Sequence, residues 1–188
     1  MGSINNNFNI KNGYSVINKE VIHDGPVKLR IDSFKLNGKI FKKEVVEHNP
    51  SVGIIPVLNE NEIILIRQFR HAVGRNLVEI PAGRIESNEM PMEAAKRELA
   101  EETGYGGVLS PITNWFLVPS YDTELMHFFV AKNLKKLDKP RKMDEDENIE
   151  TMVVSLQNAV RFCYDGTITD CKTIAAILLY YGIVKNQV

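Results

Sequence analysis

Gly83-Arg84-Ile85-Glu86-Ser87-Asn88-Glu89 opens a stretch that runs through Met90-Pro91-Met92-Glu93-Ala94-Ala95-Lys96 and closes on Arg97-Glu98-Leu99-Ala100-Glu101-Glu102-Thr103-Gly104-Tyr105. The spacing predicts a helix over residues 91–102. Proline suits a first turn, where its fixed φ and missing donor cost nothing; Glu93 sits near the positive helix end, and Gly104 stops the helix. Met92, Ala95 and Leu99 form its apolar stripe, and Glu98, Glu101 and Glu102 stand at i, i+3 and i+4 on one neighbouring face. Three like charges within a turn repel unless something positive joins them. A hard divalent cation does so: carboxylate oxygens suit Mg²⁺ or Mn²⁺, and Mg²⁺ binds through a few carboxylates together with waters and substrate phosphates. The residues alone leave a second reading open, solvated surface glutamates relieved by Lys96 and Arg97.

Outward from that stretch the chain alternates strand and turn signals. Residues 14–47 carry short apolar-polar alternations (Val27, Leu29, Ile31; Ile40, Val45, Val46) separated by Asp24-Gly25-Pro26 and Asn37-Gly38, which predicts an antiparallel unit of three strands. Alone it is too small to be stable, so it needs the rest of the chain or a second subunit. Val52–Leu58 and Glu62–Arg67 read as a hairpin over Asn59-Glu60-Asn61, followed by a short strand Asn76–Ile80 halted at Pro81-Ala82-Gly83. Beyond the helix, strands are expected at Trp115–Val118, His127–Ala131 and Thr151–Ser155, and helices at Leu156–Tyr164 and about Asp170–Tyr181, with Asp170 or Thr173 as caps. Strands mixed with three helices imply an α+β or layered α/β/α arrangement.

Composition narrows the function classes. The 188 residues carry 44% hydrophobic and 25% charged side chains, ordinary globular usage, with room for a full core. A net charge of −1 with no basic run argues against nucleic-acid binding. No apolar run approaches the roughly 20 residues that span a bilayer, and the polar, Asn-rich start lacks the features of a secretory signal, so a cytoplasmic protein without membrane association is expected. Cys163 and Cys171 read as two reduced thiols, and His23, His48, His71 and His127 show no zinc-type spacing.

The spacing G-x5-E-x7-R-E-U-x-E-E-x-G-U, with U apolar, is the Nudix box, and the stretch from Gly83 to Tyr105 matches each of its fixed positions. By this the chain resembles the Nudix hydrolases. The resemblance implies an α+β fold of the α/β/α sandwich type: a Nudix hydrolase domain over residues 48–188 with the small N-terminal antiparallel β unit, 1–47, appended for dimerisation and substrate contact. It implies Glu98 and Glu102 as leading metal ligands and catalytic groups, with Glu101 and the Ala82 carbonyl beside them, and Arg97 organising the loop by pairing with Glu89. Family chemistry is attack of water on phosphorus of a nucleoside diphosphate linked to another moiety, with metal offsetting phosphate charge and lowering the pKa of a bound water.

Further likenesses narrow this to the ADP-ribose pyrophosphatase-like branch: Glu44-Val45-Val46-Glu47-His48, Arg67-Gln68-Phe69-Arg70, Glu79-Ile80-Pro81-Ala82-Gly83, and Pro119 fifteen residues after Gly104. That branch takes its general base from an acidic loop after the box. Glu145-Asp146-Glu147-Asn148-Ile149 resembles it, implying Glu145 as base and Glu147 as an additional metal ligand; a solvated acidic loop is the alternative. Arg67 and Arg70 offer guanidinium forks to the diphosphate, while Glu79 and Glu124 contact the terminal ribose or orient an arginine; each also fits a structural ion pair. Enzymes of the branch are homodimers in which an N-terminal aromatic stacks on the base. Phe34 and Phe41 occupy that region, a core role being the alternative for both, and Trp115 lies elsewhere, in an apparent core strand.

The expected activity is therefore Mg²⁺-dependent hydrolysis of ADP-ribose to AMP and ribose 5-phosphate, with Mn²⁺ as a substitute metal and a small nucleotide as the substrate. Two alternatives stand beside it. One is another nucleoside diphosphate sugar, an ADP- or GDP-hexose; the other is a non-catalytic module that senses ADP-ribose.

Overall fold

A computed structural model describes residues 13–25, 27–138 and 148–185. The chain divides into two compact units, Met1–His48 with Val118–Glu124, and Asn49–Leu117 with Leu125–Val188.

The first unit is a three-stranded antiparallel sheet in the order β1 (Ser15–His23), β2 (Lys28–Leu36), β3 (Lys39–Glu47). The β2–β3 turn is Asn37-Gly38, both residues at positive φ (51° and 81°), the geometry expected of an Asn-Gly hairpin. Facing partners Phe34 and Phe41 stack with centroids 5.7 Å apart, and Tyr14 lies 4.9 Å from Phe34. The segment Val118–Glu124 joins this unit through hydrogen bonds from Val46 N to Tyr121 O (2.7 Å) and from Thr123 N to Val46 O (3.1 Å). Every residue of β1 is exposed, including Val16, Ile17, Val21 and Ile22.

The second unit is built on a mixed sheet ordered β10 (Ile149–Ser155), β5 (Glu62–Arg70), β4 (Ser51–Asn59), β9 (Leu125–Lys136), β8 (Tyr105–Phe116). The β4–β9 pairing is parallel and the others are antiparallel. Strands β4 and β5 pair only near their hairpin, at Val57–Ile63 and Asn59–Glu62. Beyond it, β6 (Arg75–Glu79) takes the free edge of β5 and β7 (Ala82–Arg84) that of β4. Ile80-Pro81 links β6 to β7, and Pro81 O accepts from Ile54 N at 2.9 Å.

Alternation along β4 sends its side chains to two cores. Val52 and Ile54 pack with Ala94, Ala95 and Leu99 of α1 (Pro91–Thr103), whereas Ile55 and Val57 pack with Ala159 of α2 (Leu156–Tyr164) and Ala176 and Ile177 of α3 (Cys171–Lys185). Helices on both faces of one sheet make the α/β/α sandwich that the sequence implied. Trp115 belongs to the α2–α3 core, its ring 5.0 Å from Phe128. Among the described residues no helix is long and apolar enough to cross a membrane. Cys163 and Cys171 are both free thiols.

Element boundaries differ from expectation mainly around β8. The sequence suggests a strand only from Trp115; Gly106, Gly107 and Pro111, which lie before it, are residue types that weaken a strand interior. In the fold β8 begins at Tyr105, and register shifts between Gly106 and Val108 and between Pro111 and Thr113 accommodate those residues. Likewise Ala82-Gly83-Arg84 is a short strand, not only a stop, which fixes the position of the box loop against β4.

Candidate active site

The box helix begins as its sequence requires. Glu93 Oε2 accepts from Met90 N at 2.9 Å in the turn before Pro91, and Gly104 ends the helix at φ 73° with its amide on Ala100 O (3.0 Å). Burying Ala94, Ala95 and Leu99 against β4 turns the adjacent face inward, so Glu98 and Glu102 are themselves buried, 9% and 5% exposed. A carboxylate accepts burial only with compensating donors or cations. Glu102 Oε2 accepts from Ala82 N at 2.9 Å. Glu98 Oε1 accepts from Arg97 Nη1 at 2.7 Å, and its carboxylate lies against Gly83, where any Cβ would overlap it. Gly83 is thus the residue that lets a carboxylate of α1 approach the β7 backbone.

Arg97 is the centre of this arrangement. Its guanidinium forks onto Glu89 (2.9 and 3.0 Å), reaches Glu101 at 3.1 Å and Glu98 at 2.7 Å, and donates to Arg84 O at 2.9 Å. The Glu89 hydrogen bonds are the main reason its pKa is raised; burial opposes, and Glu98 and Glu101 add to the rise. Glu89 in turn accepts from Glu86 N at 3.0 Å, so the loop before the helix is tied to the helix through one side chain, the pairing that the family resemblance implied.

A fit to metal rests on donor chemistry: Glu98, Glu101 and Glu102 offer oxygens only, on one face, at a backbone cleared by glycine. Among the described residues no three acidic, His or Cys groups are already drawn into a metal cage, since Glu98 and Glu101 turn to Arg97 and Glu102 to Ala82. Ala82 is beside Glu102, and its amide is the group that contacts it.

A second ionic cluster lies at the β5–β6 edge. Arg70 Nε and Nη2 donate to the two oxygens of Glu79 at 2.7 Å each, and Glu79 is fully buried. Lys172 pairs with the same carboxylate and with Asp170 (2.9 Å), and Thr173 Oγ1 accepts from Ile80 N at 2.9 Å. Burial alone pushes the Glu79 carboxyl up, yet the hydrogen bonds from Arg70 and the charge of Lys172 outweigh it and hold the pKa below the usual value. Arg70 is raised chiefly by its hydrogen bonds to Glu79, with the more remote charge of Glu102 contributing, which brings it into the electrostatic reach of the box helix.

Of the sequence-derived residues, the structure gathers Glu98, Glu101, Glu102 and Ala82 at α1 and β7, and Arg70 with Glu79 at the β5–β6 edge. Arg67 is not brought to that pair. Three residues from Arg70 on a strand, it points to the opposite face, where it is exposed and 3.3 Å from Glu150. Glu124 lies in the first unit with its carboxylate 3.9 Å from His48 Nδ1. Phe34 is buried and Phe41 is 43% exposed in the same unit. Glu145 and Glu147 lie outside the described residues.

Sequence reasoning passed over Lys172, and took Asp170 only as a cap. One signal was available: a lysine in the first turn of a helix faces the positive end of the helix dipole, a local misfit that asks for a tertiary carboxylate.

Residues 47–170 match the NUDIX domain. This chain belongs to the Nudix family. It is 41% identical to an ADP-ribose pyrophosphatase of Bacillus subtilis (strain 168) over 164 residues, covering 86% of this chain and 89% of that one. Over the same span and coverage it is 37% identical to a methanol dehydrogenase activator of Bacillus methanolicus. Against a GDP-mannose pyrophosphatase of Salmonella arizonae it is 31% identical over 184 residues, covering 89% of this chain and 93% of that one. A crystal structure of an ADP compounds hydrolase superposes with a TM-score of 0.83 at 24% identity, covering 93% and 95% of the two chains, a likeness of fold. The protein is a Nudix hydrolase, and the carboxylates of α1 are those of the Nudix box.

Proposed function

We propose that this Nudix hydrolase cleaves the diphosphate of ADP-ribose in the cytoplasm, giving AMP and ribose 5-phosphate, with Mg²⁺ as its metal and Mn²⁺ as a substitute. The observation that carries the reading is the box helix itself: buried Glu98 and Glu102, with Glu101 beside them, on a face cleared by Gly83. The 41% identity to an ADP-ribose pyrophosphatase supports the choice of sugar.

In this reading Glu98, Glu101 and Glu102 would hold the ion, with the Ala82 carbonyl and Glu147 as further ligands. A divalent ion held there would supply charge stabilisation of the diphosphate oxygens and would make water more acidic. Arg70, fixed by Glu79, presents its remaining donors to a phosphate oxygen, so the substrate meets a guanidinium that is already oriented. Glu145 removes the proton of the attacking water, and the broken P–O bond leaves one phosphate on each product. Arg97 touches no substrate; it keeps the box loop and helix in register.

The same reading makes the protein a homodimer. Exposed Val16, Ile17, Val21 and Ile22 on β1 supply apolar surface for a second subunit, and Phe41 is the exposed aromatic that stacks on a base, with Glu124 serving the sugar. The GDP-mannose pyrophosphatase relative favours a second reading, hydrolysis of another nucleoside diphosphate sugar at the same box.

The test is product release from ADP-ribose, ADP-glucose, GDP-mannose, NADH and diadenosine polyphosphates, with Mg²⁺ and with EDTA. Selective, EDTA-sensitive cleavage of ADP-ribose is expected. Preference for a hexose nucleotide moves the conclusion to the second reading, and binding of ADP-ribose without cleavage removes the catalytic one.

A further inference from the structure

Alternation along β5 places Ile64, Ile66, Gln68 and Arg70 on one face, opposite Ile63 and Leu65, which enter the α2–α3 core. Gln68 is opposite Leu77 of β6 and Ile149 of β10, and Glu79 is opposite Ile66, so Gln68 shares its face with the Arg70–Glu79 pair. It is 6% exposed, and among the described residues its Oε1 is the buried side-chain oxygen without a hydrogen-bond partner.

An amide oxygen left unsatisfied in the interior is destabilising, and native proteins carry few of them. Nothing in the packing asks for it: Ile64 and Ile66 fill the same face with hydrocarbon. The chemistry of the missing partner follows from the atom. A carbonyl oxygen needs a donor, and the oxygens of an ionised diphosphate only accept. A nucleoside diphosphate sugar carries its donors chiefly as sugar hydroxyls. Gln68 and Arg70 stand two positions apart on the strand with Phe69 between them, a step of roughly 7 Å, comparable to the span from a phosphate to a hydroxyl of the sugar it is attached to.

We propose that Gln68 is a further substrate-binding residue, whose Oε1 accepts a hydrogen bond from a sugar hydroxyl of the nucleotide while Arg70 meets the adjoining phosphate. The proposal rests on the functional reading above and adds to it a specificity determinant: a site that pairs a substrate hydroxyl discriminates strongly against analogues lacking it, because the buried acceptor is then left unpaired.

The experiment compares wild type with Gln68→Leu by calorimetric titration with AMP, ribose 5-phosphate and inorganic pyrophosphate, and by thermal denaturation. Gln68→Met serves where the leucine variant does not fold. Expected is a loss of about 10- to 100-fold in affinity for AMP or for ribose 5-phosphate, whichever sugar is read, with pyrophosphate affinity unchanged and Tm equal to wild type or higher. A fall in Tm with all three affinities unchanged makes Gln68 a structural residue and overturns the proposal. So does an equal loss for pyrophosphate, which has no hydroxyl, or a wild type that binds neither sugar phosphate. Wild type that binds the sugar phosphates through Gln68 but cleaves no nucleoside diphosphate sugar defeats the functional reading alone.

Discussion

The box helix and the β5–β6 edge both bury carboxylates, and they satisfy them differently. On α1 the guanidinium of Arg97 serves Glu89, Glu98 and Glu101, and Glu102 accepts from a backbone amide. At the β5–β6 edge Glu79 meets Arg70 through a two-point fork and Lys172 through a direct ion pair, and the same lysine pairs with Asp170. The second arrangement matches cations to carboxylates and is suited to holding a shape. The first clusters carboxylates around a shared cation, which is the electrostatics that the proposed metal site would require.

The comparison breaks most visibly at Glu98. Glu98→Gln keeps the side-chain volume and the clearance over Gly83 but removes one charge. Turnover is expected to fall by about 10³-fold or more, the scale on which metal-assisted charge stabilisation operates, with Tm close to wild type because a like-charge contact is relieved as a hydrogen-bond acceptor weakens. Single-turnover assays beside thermal denaturation measure both. Surviving activity, or a large fall in Tm, would make the box carboxylates a structural cluster of the same kind as the Glu79 one.

The two regions were also unequally legible in the sequence. The box declared itself because its information is local: Pro91, the stripe Met92, Ala95 and Leu99, and Gly104 delimit a helix to within a residue, and the i, i+3, i+4 glutamates share a face whatever the rest of the chain does. The Glu79 cluster closes across 93 residues between β6 and α3, and no periodicity specifies that meeting. Arg67 and Arg70 look equivalent in Arg67-Gln68-Phe69-Arg70 until strand alternation separates them onto opposite faces. Gln68 is hidden for the same reason, since its burial depends on which edge of β5 is covered. The β8 start was obscured by Gly106, Gly107 and Pro111, whose effect is absorbed by bulges that only pairing with β9 reveals. The acidic segment with Glu145 and Glu147 is outside the described residues.

A smaller effect, of a different kind, belongs to Glu79. Glu79→Gln leaves Arg70 and Lys172 facing a neutral amide in a fully buried position, and breaking such a pair costs roughly 3–5 kcal/mol. The pH dependence carries a definite sign. Burial raises the Glu79 pKa, Arg70 and Lys172 lower it more, and the net folded value lies below the unfolded one. The carboxylate therefore contributes stability that is fully present above the unfolded pKa of about 4.3 and is lost as pH falls through the lower folded value. Chemical denaturation of both proteins from pH 7 downward should show the gap between wild type and Glu79→Gln narrowing below that point. A gap constant with pH would mean that packing, not charge, is what Glu79 supplies.

The smallest effect is expected at Arg67, and it sharpens the assignment of faces. Its side chain is 47% exposed and its partner Glu150 71% exposed, so the pair is screened by water and salt and is worth at most about 1 kcal/mol. Arg67→Ala should change Tm by no more than a few degrees and kcat/KM by less than about threefold, whereas a guanidinium that pairs with a transferred diphosphate contributes through charge-assisted hydrogen bonds of about 1.5–3 kcal/mol. Steady-state kinetics on the preferred nucleotide sugar separate the two cases. A rise in KM of more than tenfold in Arg67→Ala would put the diphosphate on the Arg67 face of β5, away from Glu79 and Gln68, and the division of labour between the two sides of this strand would have to be redrawn.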